Sequence, residues 1–147
     1  MTETESNPET AAQTYVLDDQ IGYLLRKAYQ RNSVIFSEMV PELTTMQFSV
    51  MRRLATDGAM SQNLLGRSVA MDGATTKGVV DRLIDRGLLA TAPDKTDRRR
   101  RLISLTNQGI ELINQAVNAA ENVSIETLSP LNKREQETLL RLLSRLT

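Results

Sequence analysis

The chain has 147 residues, with 18 Lys plus Arg against 18 Asp plus Glu, and neither Cys nor His, a length that suits a single domain. The two missing residue types exclude disulfides, thiol redox sensing, imidazole metal sites and His-dependent acid/base catalysis. No basic segment leads into an apolar run at the N-terminus and no apolar run approaches the roughly 20 residues of a membrane span, so a cytoplasmic, non-membrane protein is expected. Residues 1–17 are polar and hold Glu3, Glu5 and Glu9 without a Lys or Arg, the composition of a flexible acidic tail. From Asp18 the pattern changes. Ile21, Leu24, Leu25, Ala28, Ile35, Phe36 and Met39 recur at three- and four-residue steps, which predicts a long helix capped by Asp18 or Asp19 and ending near Pro41.

A second helix is predicted from about Thr45 through Phe48, Met51 and Leu54 to Asp57-Gly58, capped by Thr44 or Thr45. Ser61 then caps a third helix through Leu64, Leu65 and Val69. After a turn at Met71-Asp72-Gly73 a fourth runs from Ala74 through Val79, Val80, Leu83 and Ile84 to Gly87. Two short helices across a tight turn form a helix-turn-helix. Beyond Gly87, LLATAP and RLISLT are short strands flanking PDKTDRRR, a hairpin with a charged tip. Thr106 opens another long helix carrying Ile110, Ile113, Ala116, Val117 and Ala120. Ser129-Pro130 begins a last one carrying Leu139, Leu140, Leu142, Leu143 and Leu146. The fold class is mainly α with a two- or three-stranded wing.

The balanced total hides a basic footprint: residues 52–101 hold eleven basic and six acidic residues. Within it, Asp94 to Arg101 carries five positive and two negative charges in eight residues. Taken alone such a run is solvated surface. On a hairpin beside a helix-turn-helix it suits the minor groove, where a weakly hydrated guanidinium enters and a neighbouring carboxylate, here Asp97 beside Arg99, can aim it. The fourth helix opens with Ala74, Thr75, Thr76, Lys77 and Gly78, small or hydrogen-bonding side chains that let a helix start sit deep in a major groove. No nucleophile-and-base constellation and no Gly-rich phosphate loop accompanies these features. An enzyme is therefore not expected, and with it no catalytic residue, metal or cofactor.

The order of these elements, together with VVDRLIDRGLL (Val79 to Leu89), Asp94, DRR at Asp97 to Arg99 and LISLT ending at Thr106, resembles the MarR (multiple antibiotic resistance regulator) family of winged-helix repressors over residues 18–147. The resemblance implies an intertwined homodimer built from an N-terminal dimerisation helix in residues 18–43 and C-terminal ones in 106–147. Between them, residues 44–105 form a DNA-binding lobe for palindromic operator DNA. It also implies DNA contacts from Ser61, Gln62, Thr75, Thr76, Lys77, Lys95, Asp97, Arg98, Arg99 and Arg100, with Arg99 in the minor groove and Arg98 on phosphate. Gly78 stands where the family commonly has a larger polar or basic residue. A small aromatic-acid effector is implied between dimerisation helices and lobe, with Tyr23, Arg26, Phe36, Phe48, Met51 and Arg53 as candidate contacts. The stretch LDDQIGYLLRKAYQRNSVIF resembles repressors of nicotinate degradation, which points to a nicotinate-type ligand. The competing expectations are a constitutive repressor, an activator, and a helical protein-interaction module.

Overall fold

The structure, a computed structural model, describes residues 12–147, so residues 1–11 of the expected tail lie outside the described residues. A 3-10 turn at Leu17–Asp19 leads into helix α1 (Ile21–Met39). Neither Asp18 nor Asp19 caps it, contrary to expectation. Both are taken up by the turn, and Gln20 sits in extended conformation at the cap position with its side-chain Nε2 donating back to the Val16 carbonyl at 3.0 Å. The helix stops at Val40, whose successor is Pro41, because a residue before proline is driven out of the helical region.

Helix α2 (Thr45–Asp57) starts with a reciprocal capping box between Thr44 and Gln47 and ends at Gly58, φ +83°; the box satisfies two amides that a helix start leaves open. Ser61 caps α3 (Gln62–Ser68) and Asp72 caps α4 (Gly73–Asp85). The turn between α3 and α4 is tight. Ala70 takes a left-handed φ of 57°, and a Cβ on Gly66 would lie 2.7 Å from Thr76 Oγ1, so these two helices cross at an elbow that only glycine permits.

Strands β1 (Leu89–Pro93) and β2 (Arg101–Leu105) pair antiparallel, Leu89 opposite Leu105 and Pro93 opposite Arg101. A single bridge from Met60 to Ile103 adds a third, one-residue strand that ties the loop before α3 to the hairpin. Helix α5 (Asn107–Leu128) follows at once, capped by Thr106, whose hydroxyl donates to the Gly87 carbonyl at 2.6 Å. The last helix, α6 (Lys133–Ser144), starts later than Ser129-Pro130 suggested. Asn132 and Glu135 form a second capping box, whereas Ser129 is the closing residue of α5.

One core joins these elements: Ile35 and Phe36 of α1, Val50, Met51 and Leu54 of α2, Leu65 of α3, Val79, Val80 and Leu83 of α4, Ile103 of β2, and Ile113, Ala116 and Val123 of α5. Burying a Val, Leu, Ile, Phe or Met side chain contributes about 1.5–3 kcal/mol. Arg31 and Asn32 tie α1 to the far end of α5 through the Glu126 carbonyl at 3.0 Å and the Thr127 hydroxyl at 3.1 Å. Helix α6 contributes no buried residue. Ile21, Leu24 and Leu25 of α1, Ile110 and Ile125 of α5, and Leu139, Leu140 and Leu142 of α6 are exposed. No helix among the described residues is long and apolar enough to cross a membrane.

Candidate DNA interface

Helix α4 owes its start to the carboxylate of Asp72, which accepts from the Thr75 amide at 2.7 Å. That bond, followed by the Thr75 hydroxyl, holds the Asp72 carboxyl below its ordinary range. Thr75 is half-buried and Lys77 is exposed. Thr76 is different. Contrary to its expected DNA contact it is 0% exposed, with its hydroxyl donating to the Asp72 carbonyl at 2.7 Å and packed against Gly66. Its position explains this, since Thr76, Val79, Val80 and Leu83 recur at helical spacing and share the buried face. Ser61 and Gln62 are half-buried at the start of α3. The Ser61 oxygen accepts from the Leu64 amide at 3.3 Å, which leaves its hydroxyl proton available to an outside acceptor.

The wing tip is a pair of stacked turns. The Asp94 amide donates to the Arg100 carbonyl at 2.8 Å, and the Arg100 amide to the Asp97 carbonyl at 2.9 Å. Both aspartates are used as turn formers. Asp94 Oδ1 accepts from the Thr96 amide and hydroxyl at 2.9 and 2.8 Å. The Thr96 amide, then its hydroxyl, and more weakly the Arg100 charge depress the Asp94 carboxyl. Asp97 Oδ1 accepts from the Arg99 amide at 3.1 Å. The expected orientation of Arg99 by Asp97 is thus corrected to a backbone contact: the carboxylate fixes the turn and leaves the guanidinium free. Lys95, Arg98, Arg99 and Arg100 are all exposed. The two ion pairs among the described residues, Arg53–Asp57 and Lys77–Asp81, involve none of them. Arg101 instead reaches across the hairpin to the Thr91 hydroxyl at 2.9 Å.

Two adjoining grooves lie beside the elbow and share Ser49, Val69 and Ala70 as their common wall. One, of about 410 Å³, lies between α1 and α2 and is bounded by Tyr29, Asn32, Thr45 and Met46, with the Tyr29 hydroxyl bonded to Thr45 Oγ1 at 2.9 Å. The other, of about 470 Å³, gathers Phe48, Arg52, Arg53 and Thr56. Among the residues anticipated for a ligand, Phe48 and Arg53 therefore meet. Met51 and Phe36 do not line either groove, being 0% and 6% exposed in the core, where Phe36 meets Phe48 edge to face at 5.6 Å. Tyr23, under Lys27 at 5.5 Å, and Arg26 belong to neither groove. No sequence motif marks Arg52, Tyr29 or Asn32, and only the packing of α2 against the elbow brings them to these grooves.

Residues 43–100 match the sequence signature of the MarR family. The chain is 37% identical over 134 residues to the HTH-type transcriptional repressor NicR of Pseudomonas putida, covering 90% of this chain and 85% of that protein. Among solved structures, a probable transcriptional regulator from Pseudomonas aeruginosa shares 44% identity with a TM-score of 0.87, over 90% of this chain and 100% of the other. BpsR of Bordetella bronchiseptica, whose DNA binding is regulated by 6-hydroxynicotinic acid, shares 39% identity with a TM-score of 0.85, over 90% and 96%.

Proposed function

The chain belongs to the MarR family of transcriptional regulators, and from that premise we propose that it represses transcription as a homodimer on a palindromic operator and is released by a small hydroxylated heteroaromatic acid. The observation that carries the DNA part is the wing: three exposed arginines on a turn whose own acids are committed to backbone amides. None of these guanidiniums is held in an ion pair among the described residues, so they give up little before meeting a narrow, electronegative minor groove. In this reading Thr75 and Lys77 enter the adjacent major groove, Ser61 and Gln62 meet phosphate, and Lys95, Arg98 and Arg100 add phosphate contacts.

One wing and one helix contact too few bases for strong discrimination, so two half-sites about 34–36 Å apart are required. The exposed apolar faces of α1, α5 and α6 support the pairing. A 12-residue helix with no buried residue is marginal by itself in water and gains its stability against a second chain.

The relation to BpsR supports the effector class. The groove of Phe48, Arg52 and Arg53 offers an aromatic ring and the Arg52 cation to a carboxylate, with Arg53 beside it in its pair with Asp57, and its wall is the elbow that sets the position of α4. An effector acts only through its preference for one spacing of the two α4 helices, a coupling of about 1–3 kcal/mol, or roughly 5–150-fold in DNA affinity. The test is footprinting on the DNA upstream of the chain's own gene, with and without 6-hydroxynicotinic acid. A protected palindrome that is lost on adding the acid is expected. Protection unaffected by pyridine and benzoate acids defeats the effector part and leaves a constitutive repressor or an activator; no protection defeats the whole reading.

A further inference from the structure

Helix α4 carries an exposed ion pair along the face that bears Lys77. Lys77 Nζ lies 2.7 Å from Asp81 Oδ2, with the two side chains 66% and 52% exposed. As a stabilising device the pair is poor: it is solvent-exposed, and Lys before Asp at i,i+4 is the less favourable order along a helix. An acid on a surface that meets a polyanion is also repulsive. A second oddity lies between the two residues. Gly78 sits in mid-helix, where glycine is costly relative to alanine, and neither reason for a glycine applies. Its φ is outside the left-handed region, and a Cβ there would meet nothing within 4 Å, whereas Gly66 and Gly109 are forced by Thr76 and by the Leu88 carbonyl.

We propose that Asp81 is a specificity-determining residue of the DNA interface, which together with Lys77 reads a cytosine–guanine pair and elsewhere withholds the Lys77 charge from phosphate. The proposal rests on α4 being the major-groove helix. Residues 77 and 81 share one face of that helix. A G·C pair presents in the major groove both groups the ion pair needs: guanine O6 and N7 accept from an ammonium, and cytosine N4 donates to a carboxylate. On that base pair Lys77 and Asp81 exchange each other for base edges and both remain satisfied. On a phosphate, only Lys77 gains, and Asp81 is left facing negative charge. The open space at Gly78, beside the pair on the Asp81 side of the helix, gives the base edge room to approach them closely.

The experiment is fluorescence anisotropy of the full chain on the footprinted operator and on a scrambled duplex of equal length, for wild type, Asp81→Asn and Gly78→Ala, with melting temperatures alongside. Asp81→Asn is expected to bind the scrambled duplex more tightly and to reduce the operator-to-scrambled ratio about tenfold or more. Gly78→Ala is expected to melt no lower than wild type yet to bind the operator more weakly. The proposal is overturned if Asp81→Asn raises both affinities by one factor, which is simple loss of repulsion, or changes neither, or if Gly78→Ala binds with full affinity. A wild type that does not prefer the operator refutes the DNA-reading assignment of α4 itself, an outcome separate from those.

Discussion

Replacing Arg99 with alanine separates DNA recognition from folding because of how the wing is tied. The link from Asp97 to residue 99 is to its amide at 3.1 Å, which alanine keeps, and the guanidinium is exposed and takes part in no ion pair among the described residues. The fold therefore loses only what a surface substitution costs, within about 0.5 kcal/mol. On DNA the same change removes one specific contact, about 1–3 kcal/mol. In a two-fold complex it is removed from both half-sites, so the summed loss is about 2–6 kcal/mol and operator affinity falls by more than tenfold. Anisotropy titrations at fixed salt measure that loss, and a thermal melt checks the fold. Equal operator affinity in Arg99→Ala and wild type would refute the wing assignment. A parallel fall in melting temperature of many degrees would instead refute the claim that the turn holds itself.

Other consequences follow from single contacts. Arg98→Ala should weaken binding evenly across sequences and flatten the slope of log affinity against log salt by about two units, one for each half-site, measured from titrations at several salt concentrations. Thr76→Val removes the buried bond to the Asp72 carbonyl, which keeps its 2.9 Å bond from the Thr76 amide. It should cost about 1 kcal/mol, a few degrees in melting temperature, without changing operator selectivity; a selectivity change with an unchanged melt would restore Thr76 to the DNA surface. Asp72 and Asp94 have lowered carboxyl values, so the unfolded chain takes up their protons first. Their stabilisation is present at neutral pH and is lost as pH falls below about 4 through the folded values. Melts from pH 7 to pH 3 should show a shallower acid slope in Asp72→Asn and Asp94→Asn, and identical slopes would contradict the assignment. Leu139→Asp with Leu142→Asp places charges on the exposed face of α6 and should shift sedimentation toward monomer.

Much of the fold was legible because its helix starts are written in side-chain oxygens. Thr44, Ser61 and Thr106 each stand just before a periodic run and each caps it. Asn132 with Glu135 is the same signal, missed because Ser129-Pro130 also resembles a start and lies nearer the preceding helix. The 3-10 turn at Leu17–Asp19 imitates a cap in sequence and differs only in where the backbone turns. Met60 joins the hairpin through one residue pair, too short to leave any alternation.

In the candidate site, Thr76 is a position where helical periodicity outweighs residue type. A threonine near a helix start looks the same whether it faces solvent or core, but its spacing to Val79, Val80 and Leu83 already placed it inside. Met51 repeats the lesson, three residues before Leu54 and one after Val50 on the buried face of α2. Proximity of Asp97 to Arg99 was readable, yet amide and guanidinium are equally close in sequence, and only the turn geometry chooses between them.

The central claim is that two chains present paired wings and α4 helices to one duplex, and the mass of the complex tests it most directly. Light scattering on a chromatographically isolated complex with the footprinted palindrome should give two chains per duplex, and none retained on a scrambled duplex at the same salt. One chain per duplex, or equal retention on both sequences, would contradict the account.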